Sequence, residues 1–216
     1  MYKRVVKRTI DIVLSFLGLI FLSPVFLLLI MAIKIDDRGP AFFKQKRIGK
    51  GGINFNLYKF RSMKTTTPDL PTHLLNNPEQ YISKVGKFIR KTSLDELPQM
   101  WNILKGDMSI IGPRPALWNQ DDLIEERDKY GANDVKPGLT GWAQINGRDE
   151  LEIPVKAKLD GDYVETLNKG GVKAFSMDVK CFIGTVFSVI KSDGVVEGGT
   201  GEIKKEEAVT VGKNRE

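Results

Sequence analysis

Residues Ile12 through Ile33 include no charged side chain, and this run constrains the chain more than any other feature. An α-helix needs roughly 20 apolar residues to cross a bilayer core of about 30 Å, so the run is long enough. Yet Pro24 stands near its centre, directly after Ser23. A proline inside a helix removes one backbone hydrogen bond, clashes with the carbonyl four residues back and kinks the helix, at about 3 kcal/mol in water. Lys3, Arg4, Lys7 and Arg8 precede the run. Lys34, Arg38, Lys44, Lys46, Arg47 and Lys50 follow it, diluted only by Asp36 and Asp37. Positive charge beside a membrane segment favours the cytoplasmic face, so both flanks favour the same side. A helix that enters, bends at Ser23-Pro24 and returns satisfies both. The carbonyl freed by Pro24 needs a partner in lipid, which the Ser23 hydroxyl or a nearby backbone group can supply. The expectation is a re-entrant membrane helix over residues 1–35. A kinked single-pass helix meets the length and composition equally well. A cleaved signal peptide does not, because the stretch exceeds the usual roughly 7 to 15 residues and no small-x-small site follows it. Asp11, at the entry, suits headgroup depth or an ion pair with a nearby Arg or Lys.

About 180 residues remain after the run, enough for one compact domain. The net charge of +6 is concentrated. Lys59, Arg61 and Lys64, then Lys84, Lys87, Arg90 and Lys91, form basic clusters that suit anionic headgroups or phosphorylated ligands. The apolar anchor argues against nucleic acid. Cys181 is the only cysteine, which excludes an intramolecular disulfide and agrees with a reducing compartment. With His73 the only histidine, a zinc cluster or a Ser-His-Asp triad has little to draw on.

The coarse pattern predicts a mainly α protein with a small β-hairpin, an α+β domain over 36–192, and a disordered glycine-rich, charged tail over 193–216. AFFKQKRIG and INFNLYKFRSM, joined by KGG, form the hairpin. TTTPDLPTHLLNNPEQ is a loop. SKVGKFIRK is a short helix with Val85, Phe88 and Ile89 on one side, and SLDELPQMWNILKG is another, stopped by Gly106. The segment Gly112-Pro113-Arg114-Pro115 is a rigid turn, DLIEERDKYG a charged helix, VKPGLTGWAQINGRD a glycine-punctuated loop, and residues 154–168 a helix. In the last helix Phe175, Val179, Phe182, Val186 and Ile190 recur at helical spacing. Such a stripe more often packs a core than lies in headgroups.

TSLDELPQ is the most informative stretch of the soluble part. Ser93 with Glu96 three residues on fits a capping box, with Asp95 and Glu96 in the first turn. Two adjacent acids there can simply complement the helix dipole. A helix N-terminus also attracts phosphate, and Arg90 and Lys91 stand just upstream to hold an anion beside the acids.

KFRSM at 59–63, SLDELPQ at 93–99, GDMSIIGPRP at 106–115 and PGLTGWAQINGR at 137–148, in this order behind a basic segment and a central Ser-Pro, resemble the bacterial sugar transferases known as monotopic phosphoglycosyl transferases. The resemblance covers about residues 1–192 and suggests a small, catalytic-domain-only member. It implies transfer of a phospho-sugar from a nucleotide diphosphate sugar, usually a UDP-sugar, to polyprenyl phosphate (undecaprenyl phosphate in bacteria), with UMP released, at the cytoplasmic face of the bacterial inner membrane. This is the first membrane step of surface glycan synthesis. The family mechanism is ping-pong. Transferred to this sequence, it makes Asp95 the nucleophile that forms a phospho-sugar aspartyl intermediate and Glu96 the Mg2+ ligand. Arg90 binds the acceptor phosphate, and Lys59 and Arg114 contact donor phosphates. Asp160 and Asp178 align with functionally sensitive acids, although each reads equally as a helix-end or salt-bridge residue. Gly138, Gly141, Trp142 and Gln144 belong to a loop near the nucleotide sugar, with core packing an alternative for Trp142. A carboxylate stays ionised at neutral pH and can attack phosphorus, and the charge of a diphosphate calls for Mg2+ and fixed cations. One carboxylate with substrate phosphates and waters is an ordinary magnesium site. The sugar, the glycan pathway and homodimer formation stay open.

Overall fold

The computed structural model of the chain describes residues 1–68, 77–147 and 151–191, the side chains of residues 190 and 191 excepted. His73, Arg148 and the expected tail lie outside them. A helical turn at Tyr2–Val6 runs into α1 (Lys7–Phe21), and α2 (Ser23–Asp36) follows after a single intervening residue. The hairpin is as expected: β1 (Phe42–Ile48) pairs antiparallel with β2 (Asn54–Phe60), Phe42 opposite Phe60. Gly51 and Gly52 supply the turn with φ of 67° and 76°. Then come α3 (Lys84–Lys91), α4 (Gln99–Lys105), β3 (Ser109–Ile111), α5 (Asp121–Asp128), β4 (Gly138–Thr140), α6 (Trp142–Ile145), α7 (Ile153–Lys169) and α8 (Gly171–Lys191).

The helix break forms where proline demands it. α1 with its leading turn and α2 meet at a 60° bend. Pro24 leaves the carbonyl of Ile20 without its usual donor, and the Ser23 hydroxyl donates to that oxygen at 2.7 Å. No single helix among the described residues is long and apolar enough to cross a membrane; the bent pair passes that test together. Both ends of the pair are fastened to the same body. Lys7 donates to Asp178 at 2.9 Å. Arg8 closes the C-terminus of α4 by donating to the carbonyls of Ile103 and Leu104. At the far end, Asp36 accepts from the backbone of Val85 and Asp37 pairs with Arg61. Two of the cations expected to flank a membrane segment, Lys7 and Arg8, are therefore structural ties. Asp11 is also internal, 3% exposed and accepting from the Ile110 amide, and it forms no ion pair among the described residues.

Three apolar clusters hold the domain. One gathers Tyr2, Ile111, Val135, Tyr163, Leu167 and Cys181. A second packs Leu29 and Ile33 of α2 on Ala41, Phe60 and Ile89. The third joins Leu57, Ile103 and Met108 under the hairpin. Two readings change. The stretch 137–148 is not all loop: β4 runs parallel to β3, with Ser109 opposite Gly138, and α6 follows. The close approach requires glycine, since a Cβ on Gly138 would collide with the backbone of Gly112. The apolar stripe of α8 is not core: Phe175, Val179, Phe182 and Val186 are exposed, while Ala174, Asp178 and Cys181 face inward. The helix turns its small and polar side to the crowded α7 interface and its large apolar side outward. Phe88 is likewise exposed, unlike Ile89 beside it.

Candidate active site

The segment between α3 and α4 departs from its expected form, and the departure builds the site. Ser93 makes no cap hydrogen bond and has φ of 55°. It is the left-handed residue that closes α3, with its amide donating to the Arg90 carbonyl at 3.0 Å, a place usually held by glycine. A capping box needs an extended N-cap residue, and the αL turn excludes it. The expected single helix splits accordingly into a 3-10 turn, Leu94–Glu96, and α4 beginning at Gln99. The turn tucks both acids inward, leaving Asp95 8% and Glu96 9% exposed.

Cations converge on them from separate elements. Lys59, near the end of β2, lies 3.1 Å from Glu96 Oε1 and 3.9 Å from Asp95 Oδ2. Arg114, in the turn after β3, donates to Glu96 Oε1 at 2.6 Å and to Oε2 at 3.4 Å. Arg90 donates through Nε to Ser62 Oγ, and its charge is felt at Asp95. The two acids differ. Glu96 is held by both Lys59 and Arg114, whereas Asp95 accepts no hydrogen bond among the described residues. Burial pushes the Asp95 carboxyl up from the ordinary 3.8 and neighbouring Glu96 adds to this, with Lys59, Arg90 and Arg114 opposing. Asp95 is thus a desolvated carboxylate faced by cations that do not bond it, a state suited to attack on a centre carrying anionic oxygens.

Five of the expected site residues, Lys59, Arg90, Asp95, Glu96 and Arg114, come together here. Gln144, on α6, lines a groove that opens at Glu96 and Arg114. Both its amide atoms are buried without a partner among the described residues. Asp160 stands one step removed: it holds Arg127 at 2.5 Å, and Arg127 Nη1 donates to the Arg114 carbonyl at 2.8 Å. Asp178 accepts from Tyr2, Lys7 and Tyr163 at 2.7, 2.9 and 2.8 Å. Arg127 was missed by sequence reasoning, where it is one charge in a charged helix. Its 2% exposure and its bond to the Arg114 backbone make it a positioning residue. Ser23 and Pro24 lie at the bend.

For a divalent cation, the donor set is Asp95 and Glu96. No group of three or more His, Cys, Asp or Glu able to hold a metal occurs among the described residues. Two adjacent hard carboxylates fit magnesium, which takes one or two carboxylates and keeps several waters.

Comparison with known proteins shows which family the chain resembles. The family model "Bacterial sugar transferase" matches residues 2–192. The chain is 40% identical to an uncharacterized sugar transferase, EpsL, of Bacillus subtilis over 88% of this chain and 90% of that protein. It is 42% identical to the UDP-glucose:undecaprenyl-phosphate glucose-1-phosphate transferase of Escherichia coli over 74% of this chain and 36% of that protein. To the undecaprenyl-phosphate galactose phosphotransferase of Salmonella typhimurium it is 39% identical over 75% and 37%. The match therefore spans little more than a third of each of the latter two.

Proposed function

The chain belongs to the bacterial sugar transferase family, and we propose that it transfers a sugar phosphate from a UDP-sugar to polyprenyl phosphate through a covalent intermediate on Asp95. The observation that carries this reading is the contrast within the acid pair: Glu96 tied to Lys59 and Arg114, Asp95 buried and unbonded between the same cations. An Asp95 oxygen attacks the sugar-bearing phosphorus. The bond from that phosphorus to the bridging oxygen breaks, and UMP departs with the electron pair. An oxygen of the lipid phosphate then attacks the same phosphorus, the bond to Asp95 breaks, and the carboxylate is restored with polyprenyl-diphosphate-sugar as product.

Lys59 and Arg114 bind donor phosphate oxygens and neutralise charge that grows as UMP leaves. Arg90 binds the acceptor phosphate. Gln144, at the groove, is placed to meet the sugar. Magnesium, held by Glu96 with Asp95 adjacent, would supply further neutralisation of the diphosphate.

The bent helix pair serves the same end as a re-entrant anchor. A pair fastened at both ends to one body returns to the face it left. The uncharged stretches of its arms, Ile12–Phe21 and Ser23–Ile33, reach about 15 to 17 Å each at 1.5 Å per residue, short of a bilayer core of about 30 Å. The enzyme would sit at the cytoplasmic face, where a soluble donor meets a lipid-borne acceptor. Purified protein supplied with UDP-sugars, polyprenyl phosphate and magnesium should release UMP, and donor alone should leave a phospho-sugar adduct on Asp95 by mass spectrometry. A membrane-tethered scaffold would do neither. Cysteines placed near residues 4 and 46 should react with an impermeant reagent from one side; labelling from opposite sides would restore the single-pass topology.

A further inference from the structure

The groove that opens at Glu96 and Arg114 encloses about 420 Å3, within the roughly 300 to 1,000 Å3 of ligand pockets. Its two ends differ. The mouth is charged. The body runs between Leu139 and Ile145 on one side and Phe182, Val186 and Val189 of α8 on the other, and its lining offers no cation beyond Arg114. Two of its polar groups are paired: Thr140 and Thr185 hydrogen-bond to each other at 2.6 Å, and Thr185 donates to the Cys181 carbonyl, whereas the Gln144 amide has no partner among the described residues.

The apolar surface does not end at the groove. Phe182 also lines a second cleft, of about 220 Å3, whose far wall is Ile10 and Leu14 of α1. The two clefts share Phe182 and Ile110, so mostly apolar surface runs from the first arm of the bent helix pair toward the cations around Asp95; the charged residues of the second cleft are engaged, Lys7 with Asp178 and Asp11 with the Ile110 amide. A ligand that matches this surface is anionic at one end and hydrocarbon along the rest.

We infer that this groove seats the first isoprene units of the polyprenyl phosphate acceptor, with α8 as its outer wall and the phosphate at the mouth. The inference rests on the transfer reading above and adds to it the place where the tail lies. A nucleotide or sugar laid along the wall of Leu139, Ile145, Phe182, Val186 and Val189, away from Gln144 and Arg114, would leave polar edges without partners, at a cost of about 1 to 3 kcal/mol per group. A hydrocarbon tail gains from the same surface. It also explains why α8 keeps large apolar residues outward: Val186 is 44% and Val189 42% exposed in the free protein.

The test uses the full chain in detergent micelles and follows the two half-reactions separately. Val186→Asp should lower kcat/KM for polyprenyl phosphate by about tenfold or more, while the rate of adduct formation from UDP-sugar stays as in wild type. Val186→Trp, which fills the groove without adding charge, should also erase the advantage of farnesyl phosphate over dimethylallyl phosphate as acceptor. Ile183→Asp and Phe187→Asp change exposed apolar residues of α8 that do not line the groove, and should leave acceptor kcat/KM unchanged. Equal losses from all the aspartate variants would mean general membrane contact by α8 and overturn the groove. Slowed adduct formation in the Val186 variants would place the donor there and overturn it as well. An absent adduct in the wild-type protein would overturn the transfer reading and the groove together.

Discussion

Two buried carboxylates, Asp95 and Asp178, are equally hidden, each 8% exposed, and opposite in what surrounds them. Asp178 receives three donors, from Tyr2, Lys7 and Tyr163, one of them a full positive charge. Asp95 faces three cations and is hydrogen-bonded by none among the described residues. The first arrangement joins segments: α1 and its leading turn, α7 and α8 meet at one carboxylate. The second leaves a carboxylate without a hydrogen-bond donor among the described residues. Burial of an acid therefore says little by itself, and what matters is whether its lone pairs are already taken.

The contrast breaks most directly at Asp95. Asp95→Asn should cut turnover by about a thousandfold or more, as removal of a covalent nucleophile does, without harming the fold. A variant retaining UMP release would end the distinction. Stability should move the other way. Because the folded-state pKa of Asp95 is raised, the stabilisation linked to its proton is fully present below the unfolded value and is lost as pH rises through the folded one. The ionised group then opposes folding at neutral pH. Asp95→Asn should raise Tm at pH 7, and the difference should close in acid when both proteins are melted in the same detergent.

Asp178→Ala should instead cost about 3 to 5 kcal/mol, since it strands Lys7 in a buried site. Denaturation should show that loss, while activity per folded molecule persists. Replacing both partners, Lys7→Met with Asp178→Leu, should recover much of it. The same pairing, read by pH, sharpens the comparison further. kcat/KM should fall on acidification along a limb centred above 3.8, the ordinary carboxyl value, and a limb at or below it would remove the case for a desolvated nucleophile.

Smaller effects probe the backbone around each region. Ser93→Gly relieves a left-handed residue and should gain about 1 kcal/mol. An accompanying fall in kcat would show that the serine contributes beyond its conformation. Ser23→Ala removes the donor to the Ile20 carbonyl and should cost about 0.5 to 1.5 kcal/mol in a thermal melt.

Parts of this were open to sequence reasoning. The hairpin follows from its two β-rich runs and KGG, and the helix break from Ser23-Pro24, because each is decided by neighbours in the chain. The clustering of Lys59, Arg90, Glu96 and Arg114 around Asp95 came through motif resemblance. Ser93 was misread because the S-x-x-E spacing is local, whereas its αL conformation is set by the closing of α3. The α8 stripe was misread because periodic apolarity reports a face that avoids water and does not say whether protein or lipid covers it. The Tyr2, Lys7 and Asp178 junction had no local signal at all, since Lys7 and Asp178 stand 171 positions apart.

That separation has a consequence for biosynthesis. The helical turn at Tyr2–Val6 leaves the ribosome long before α8 exists, yet it finds its partner only there. A nascent chain must hold Tyr2 and Lys7 unmatched until translation of α8 delivers Asp178. Ribosome-bound intermediates that stop short of that helix should thus be incompletely assembled, so that the order of synthesis sets when the first and last helices of the chain join.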